Sequence, residues 1–281
     1  MKQVRHERSL CGGHRGWPRG SEGSTVPWCR RSVGDLVRRT RKLDAPATAA
    51  HAAGLVDLGV RAVLVAGTTG KASSRDPAER AALLGALRDA LPPSSDVQVI
   101  AGTSAPSIRE AVALTAAARD GSADAVVALS PPQVSDPRPY YEAVAEAAAE
   151  VPVLAYHCPD FSPPGRCLEH LRELPVSGCK DSSGDATRFH QELAEFDGAL
   201  HVGSPVLTPL AGTIGAAGAL LAIANFDPER CIAAFEGDVE AQRSLIKPHL
   251  ETMVRFPCLL KEFVAARFAT TTTTRVGRNR S

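Results

Sequence analysis

The sequence predicts a TIM-type (β/α)8 barrel with additional helices at its C-terminal end, and three observations predict it. From Leu43 onward, alanine-rich helical stretches alternate with short β-branched runs, the texture of parallel strands joined by crossover helices. Seven such strand-helix units recur at intervals of roughly 25 to 35 residues, the spacing of barrel units. No G-x-G-x-x-G follows the first run, which argues against a doubly wound nucleotide-binding sheet.

In chain order, strands are expected at Val60 to Ala66, Val97 to Thr103, Ala125 to Ser130, Val151 to Tyr156, Val176 to Lys180, Ala199 to Gly203 and Ala219 to Ile223. Helical segments lie between them. Asp76 can cap a helix that begins at Pro77 and runs to Leu91, and another spans Ala105 to Asp120 and stops at Gly121. After the last strand, Val239 to Val254 and Pro257 to Phe268 predict two helices packed outside the barrel. An eighth strand has to come from residues 1–43, where the best candidate is Ser24 to Trp28; that strand is expected to be aberrant or missing.

The chain divides by composition into a basic N-terminal segment at 1–43, a barrel at 44–268 and a tail at 269–281. The first segment holds both tryptophans, no sustained period of 2 or 3.6, and eleven Lys or Arg against three Asp or Glu, so it is expected to be poorly ordered. The tail is expected to be disordered. The remainder carries twenty-one basic against twenty-eight acidic residues, an unsuitable surface for nucleic acid. Glu7, Glu22 and Asp35, with no amphipathic spacing, argue against reading the basic segment as a targeting or nucleic-acid arm. No apolar run is long enough for a membrane span and no secretory signal is visible, so a cytoplasmic protein is expected. Seven scattered cysteines without C-x-x-C pairs or histidine partners predict a reducing compartment and no structural metal.

Chemistry in such a barrel gathers where strands end and loops to the next helix begin. Lys180 closes an apolar run and faces a barrel interior of apolar side chains. Desolvation lowers a lysine's pKa and supplies the neutral amine that attacks a ketone to form an iminium. The chain has six lysines against twenty-six arginines, and a guanidinium cannot make this bond. The alternative is a solvated lysine or one paired with Asp181. Tyr156 ends the preceding strand, so its phenol can relay protons beside Lys180; alternatively its ring fills the barrel and its hydroxyl caps a carbonyl. The turn Gly67-Thr68-Thr69-Gly70 offers two hydroxyls and several N–H groups, a nest suited to a carboxylate, although such turns are often only turns. Gly203 and Ser204 end the strand after that of Lys180, and His157 is read as a supporting or surface group. No triad order, H-E-x-x-H or phosphate loop is present, and no metal, nicotinamide or pyridoxal cofactor is expected.

GTTG at 67–70, YHCP at 156–159 and GCKDSSGD at 178–185, in this order, resemble the dihydrodipicolinate synthase and N-acetylneuraminate lyase family of class I, Schiff-base aldolases. The resemblance covers about residues 44–268 and extends to LLAIAN at 220–225 and FPCLLKE at 256–262. It implies Lys180 as the Schiff-base residue, Tyr156 as the proton relay, Thr68 and Thr69 with Gly67 at the carboxylate of pyruvate, and Gly203 and Leu220 lining the substrate site. It also implies a homo-oligomer, a tetramer or dimer, acting on a 2-oxo acid and an aldehyde.

Residues 1–43 do not resemble the family's opening strand. Phe161 stands where dihydrodipicolinate synthases carry the arginine that binds the second substrate's carboxylate. Pro132 and Gln133 replace a tyrosine pair that supplies a hydroxyl across a subunit interface, and Lys71 replaces a glutamate. Phe161 and the proline-rich loop Pro159 to Gly165 suggest a distal pocket not built for a second carboxylate, which favours a sugar acid or hydroxy-2-oxo acid as substrate. The alternatives are a 4-hydroxy-tetrahydrodipicolinate synthase that recruits Arg138 or Arg166, and a non-catalytic member.

Overall fold

The computed structural model describes residues 29–32, 36, 42–165 and 168–270. Eight parallel strands close into a barrel in sequence order: β1 Cys29–Ser32, β2 Ala62–Val65, β3 Gln98–Gly102, β4 Ala125–Leu129, β5 Val153–His157, β6 Gly178–Asp181, β7 Ala199–Val202 and β8 Gly218–Leu221. All seven strands read from β-branched runs are present, with ends shifted by one or two residues: β5 and β6 start two residues later and run on to His157 and Asp181, and β8 begins at Gly218. The eighth is β1, just beyond the Ser24 to Trp28 candidate, which lies outside the described residues.

β1 closes the barrel through its backbone, with Arg30 in register with Ala62 on one side and Leu220 on the other. A parallel ladder satisfies N–H and C=O groups whatever the side chains, so this strand needs no hydrophobic signature of its own. It belongs to the stretch that composition sets apart. Further along, the N–H of buried Leu36 donates to Thr48 Oγ1 at 2.9 Å, and its carbonyl accepts the Asp44 N–H at 3.0 Å. These two bonds tie Leu36 to the start of the first helix.

The crossover helices are α1 Ala45–Asp57, α2 Pro77–Ala90, α3 Ile108–Asp120, α4 Arg138–Ala148, α5 Leu168–Glu173, α6 Ala186–Glu195, α7 Thr208–Thr213 and α8 Pro228–Phe235. At α2 the Asp76 carboxylate accepts the Glu79 N–H at 2.8 Å while the Glu79 side chain reaches back to the Asp76 N–H, and Pro77 occupies the first turn. Helix α3 starts three residues later than its apolar pattern suggests, because Ser107 caps it. Two more helices follow, α9 Val239–Val254 and α10 Cys258–Phe268, and α10 docks by stacking Phe263 on Phe226 at 4.9 Å.

Strand alternation divides the core in two. Outward-facing residues such as Val63, Val99, Val126 and Ala155 pack with the helices in one large cluster. Inward-facing Ala62, Leu64, Ile100, Val127, Leu154, Tyr156 and Leu220 fill the barrel. Gly178 makes room in that interior, since a Cβ there would crowd a Leu154 methyl and the Ala199 carbonyl. Among the described residues, no helix is long and apolar enough to cross a membrane.

Candidate functional site

β5 and β6 place Tyr156 and Lys180 directly across from each other in the ladder, so both side chains point inward on one level. Lys180 is 5 % exposed and its ammonium lies over the Tyr156 ring, 4.2 Å from the centroid. Its surroundings are the apolar barrel interior, and burial pushes its pKa down from 10.5 to about 8. Asp181 is no partner for it. By alternation that carboxylate faces outward, where it accepts the Ser183 N–H at 2.6 Å and sits near Arg188 and Glu192 of α6. The reading of Lys180 as a solvated loop residue or an ion-paired one therefore does not describe this structure.

Tyr156 is also deep in the site. Burial raises its phenol well above the ordinary value, and Ser182, Cys158 and Thr68 are its polar neighbours. Thr68 arrives from the turn after β2, which is held by Gly70 N–H to Gly67 carbonyl (3.1 Å) and Lys71 N–H to Thr68 carbonyl (3.0 Å). Gly67 and Thr68 are partly exposed, whereas Thr69 is buried. Gly203 follows β7 at close quarters: a Cβ there would overlap the Ser182 hydroxyl and stand 3.0 Å from Lys180 Cε. Leu220 is buried in the interior wall. The residues singled out from sequence thus share one end of the barrel, in the turns after β2 and β7 and near the ends of β5 and β6, with Leu220 on β8.

Three further residues belong to this interior without a role assigned from sequence, Ser182 having been noted only as part of the polar turn after Lys180. Cys158 and Ser182 lie two positions beyond Tyr156 and Lys180, and strand alternation is the signal that could have found them. His201 is fully buried on β7, in register with Lys180 and on the same face. His157, by contrast, is buried and packs against Gly165 on the outward side, so it is not a surface group.

Behind the strand of Lys180, α6 supplies Glu192, which is fully buried, and Arg188, whose Nη2 lies 2.8 Å from Glu192 Oε1. Desolvation and the neighbouring Asp181 carboxylate outweigh that guanidinium and push Glu192 up to about 8. The cluster lies behind the turn that carries Ser182, where Asp181 accepts the Ser183 N–H. At the mouth, Phe161 is 51 % exposed. Arg138 is committed elsewhere, to Asp136 at 2.8 Å and Glu173 at 3.0 Å, and Arg166 lies outside the described residues. Among the described residues, no group of three or more His, Cys, Asp or Glu could hold a metal ion.

A parallel barrel whose interior carries a desolvated lysine against a tyrosine is the architecture of the class I, Schiff-base aldolases and carbon–carbon lyases, and this chain is an enzyme of that class. More particularly, residues 37–257 match the model of the dihydrodipicolinate synthetase family, and the chain belongs to that family. An uncharacterized DapA-like lyase of Halobacterium salinarum is 34% identical over 233 residues, covering 78% of this chain and 74% of that protein. The 4-hydroxy-tetrahydrodipicolinate synthase of Pseudomonas aeruginosa is 31% identical over 203 residues, covering 66% and 68%. Among solved structures, the 4-hydroxy-tetrahydrodipicolinate synthase of Methylacidiphilum fumariolicum superposes with a TM-score of 0.83 at 19% identity, covering 91% of each chain. YagE, a prophage protein of the same family from E. coli K12 solved in complex with pyruvate, gives 0.80 at 22% identity, covering 89% and 92%.

Proposed function

We propose that Lys180 captures pyruvate or a related 2-oxo acid as an iminium and that the derived enamine adds to an aldehyde or arises by cleavage of a carbon–carbon bond. The observation that carries this reading is the buried ammonium of Lys180 held 4.2 Å from the centre of the Tyr156 ring. With its pKa near 8, a useful fraction of the amine is neutral at pH 7 and attacks the keto carbon. Tyr156 gives its proton to the carbinolamine hydroxyl as water leaves, and takes one back from C3 as the enamine forms. Gly67, Thr68 and Thr69 hold the carboxylate in the turn after β2, and Gly203 and Leu220 shape the wall beside the reacting carbon. The protonated imine is itself the electron sink, so the residues in place supply the whole reaction.

For the second substrate, the exposed Phe161 and the engagement of Arg138 with Asp136 and Glu173 favour a partner without a second carboxylate at that position. A sugar acid or a hydroxy-2-oxo acid fits this description. The likeness to the P. aeruginosa synthase supports a second reading, 4-hydroxy-tetrahydrodipicolinate synthase, and condensation with aspartate semialdehyde decides between the two. Self-association is part of the proposal: α9 exposes Ile246, Leu250 and Met253 at helical spacing, an apolar stripe suited to a second copy.

The test is incubation with pyruvate, reduction with borohydride and peptide mass mapping, with Lys180→Arg as the control that keeps charge but cannot condense. An adduct confined to the Lys180 peptide is expected. Folded protein that yields no adduct with pyruvate, hydroxypyruvate or 2-oxobutyrate would end the proposal.

A further inference from the structure

The turn after β2 is tied to the neighbouring strand ends by a charged side chain. Beyond β2 the backbone of Ala66 takes a φ of 51°, a strained value for a residue with a Cβ. Its carbonyl lies against Gly102 at the end of β3, where a Cβ would have no room. Gly67 then accepts the Ala72 N–H at 3.3 Å as well as that of Gly70. Helix α2 brings the half-buried Arg80 to the same place. Its Nη2 donates to the Ala72 carbonyl at 2.8 Å, and its Nη1 donates to the carbonyls of Gly102 at 3.3 Å and Ser104 at 3.5 Å. The far side is fixed in turn, since the Thr103 N–H donates to the Val127 carbonyl at 3.0 Å and Ser104 Oγ accepts the Leu129 N–H at 2.8 Å.

We propose that Arg80 is a positioning residue for the 2-oxo acid: its guanidinium spans from the Ala72 carbonyl to those of Gly102 and Ser104 and so fixes the turn at 67–70 that receives the substrate's carboxylate. The proposal rests on the Schiff-base reading of Lys180 and on the assignment of that turn to the carboxylate. The route is continuous. β4 holds Thr103 and Ser104, the carbonyls of Gly102 and Ser104 hold Arg80, Arg80 holds Ala72, and the Ala72 N–H holds Gly67.

A guanidinium is suited to this place because its terminal nitrogens diverge in a rigid plane and reach carbonyls on both sides at once, which a single ammonium does not. Without that span the turn relaxes from its strained φ at Ala66, and the cost of ordering it falls on substrate binding. Arg80 stands on a helix outside the ring of strands, so its effect falls on capture of the carboxylate and not on the chemistry at the keto carbon. The competing explanation is that the side chain only fastens α2 to the barrel. A loss of that kind lowers stability and affects every ketone substrate alike.

The experiment compares the parent, Arg80→Met and Arg80→Lys by proton NMR of methyl exchange in D2O, with pyruvate and with methyl pyruvate, whose ester carries no charge. Methionine keeps the apolar stem without the donors, and lysine keeps the charge on one nitrogen. In Arg80→Met, KM for pyruvate should rise about tenfold, the effect of losing charge-assisted hydrogen bonds behind the turn, with kcat within about twofold. The kcat/KM for methyl pyruvate should move less than about twofold. Arg80→Lys should fall between parent and Arg80→Met for pyruvate alone. A parental KM for pyruvate in folded Arg80→Met, or equal losses for acid and ester, would overturn the positioning role. Should the methionine variant not melt cooperatively, Arg80→Lys decides: a loss confined to pyruvate supports the span, and no loss overturns it. A parent that handles acid and ester equally would instead overturn the carboxylate assignment of the turn, and a parent without a borohydride-trapped adduct the Schiff-base reading.

Discussion

Replacing Lys180 with methionine should make this protein more stable at neutral pH. Burial lowers the ammonium from 10.5 to about 8, and each unit of such a shift is worth ~1.4 kcal/mol. The depressed group binds its proton more weakly in the folded chain than in the unfolded one. Stability is therefore greatest above pH 10.5, is lost as pH falls through 8, and is lower by about 3 kcal/mol at pH 7. Methionine has a similar length, carries no charge and adapts to irregular interiors. Cooperative melts at pH 7 and pH 9 measure the effect. A gain of about 3 kcal/mol at pH 7, roughly 6–12 °C for a domain of this size, should shrink to about 2 kcal/mol at pH 9 while the trapped adduct disappears. A variant that melts lower than the parent, or whose gain is the same at both pH values, would refute the desolvation argument and make Lys180 a structural cation.

A second buried ionisable group, Glu192, gives the opposite pH dependence. Glu192 is raised to about 8, so the folded chain holds a proton that the unfolded chain releases above about 4.5, and stability falls as pH rises through that window. Glu192→Gln should flatten the stability profile from pH 5 to 8 and exceed the parent at pH 8 by on the order of 2 kcal/mol, as read from denaturant midpoints. Gly203→Ala places a methyl on the Ser182 hydroxyl and against Lys180 Cε, so adduct formation should slow at least tenfold with a loss of stability of only about 1–2 kcal/mol. Gly212→Ala, far from the lysine, drives a Cβ into the Phe235 carbonyl and should cost about 3 kcal/mol or more by chemical denaturation, with adduct formation in the surviving folded fraction unchanged.

Seven of the eight strands, the capping box at Asp76 and the appended helices were legible in the sequence because each carries its own chemistry, whether a β-branched run, a side-chain cap or an apolar helical period. The positions of Lys180 and Tyr156 at neighbouring strand ends followed from the same pattern, and the turn at Thr68 from its glycines. The tertiary structure decided what depends on partners rather than on local residues. β1 reads Cys-Arg-Arg-Ser and becomes a strand because the edges of β2 and β8 offer it a backbone ladder on both sides. Asp181, adjacent to Lys180 in sequence, is turned away from it by the pleat, while Cys158, Ser182 and His201 are brought to the inward face by alternation and register. Sequence alone identified Lys180 and Tyr156 as candidates for the chemistry. The closed barrel determines the burial that moves the lysine's pKa and the groups that meet the phenol, because desolvation and hydrogen bonding depend on every strand around the interior.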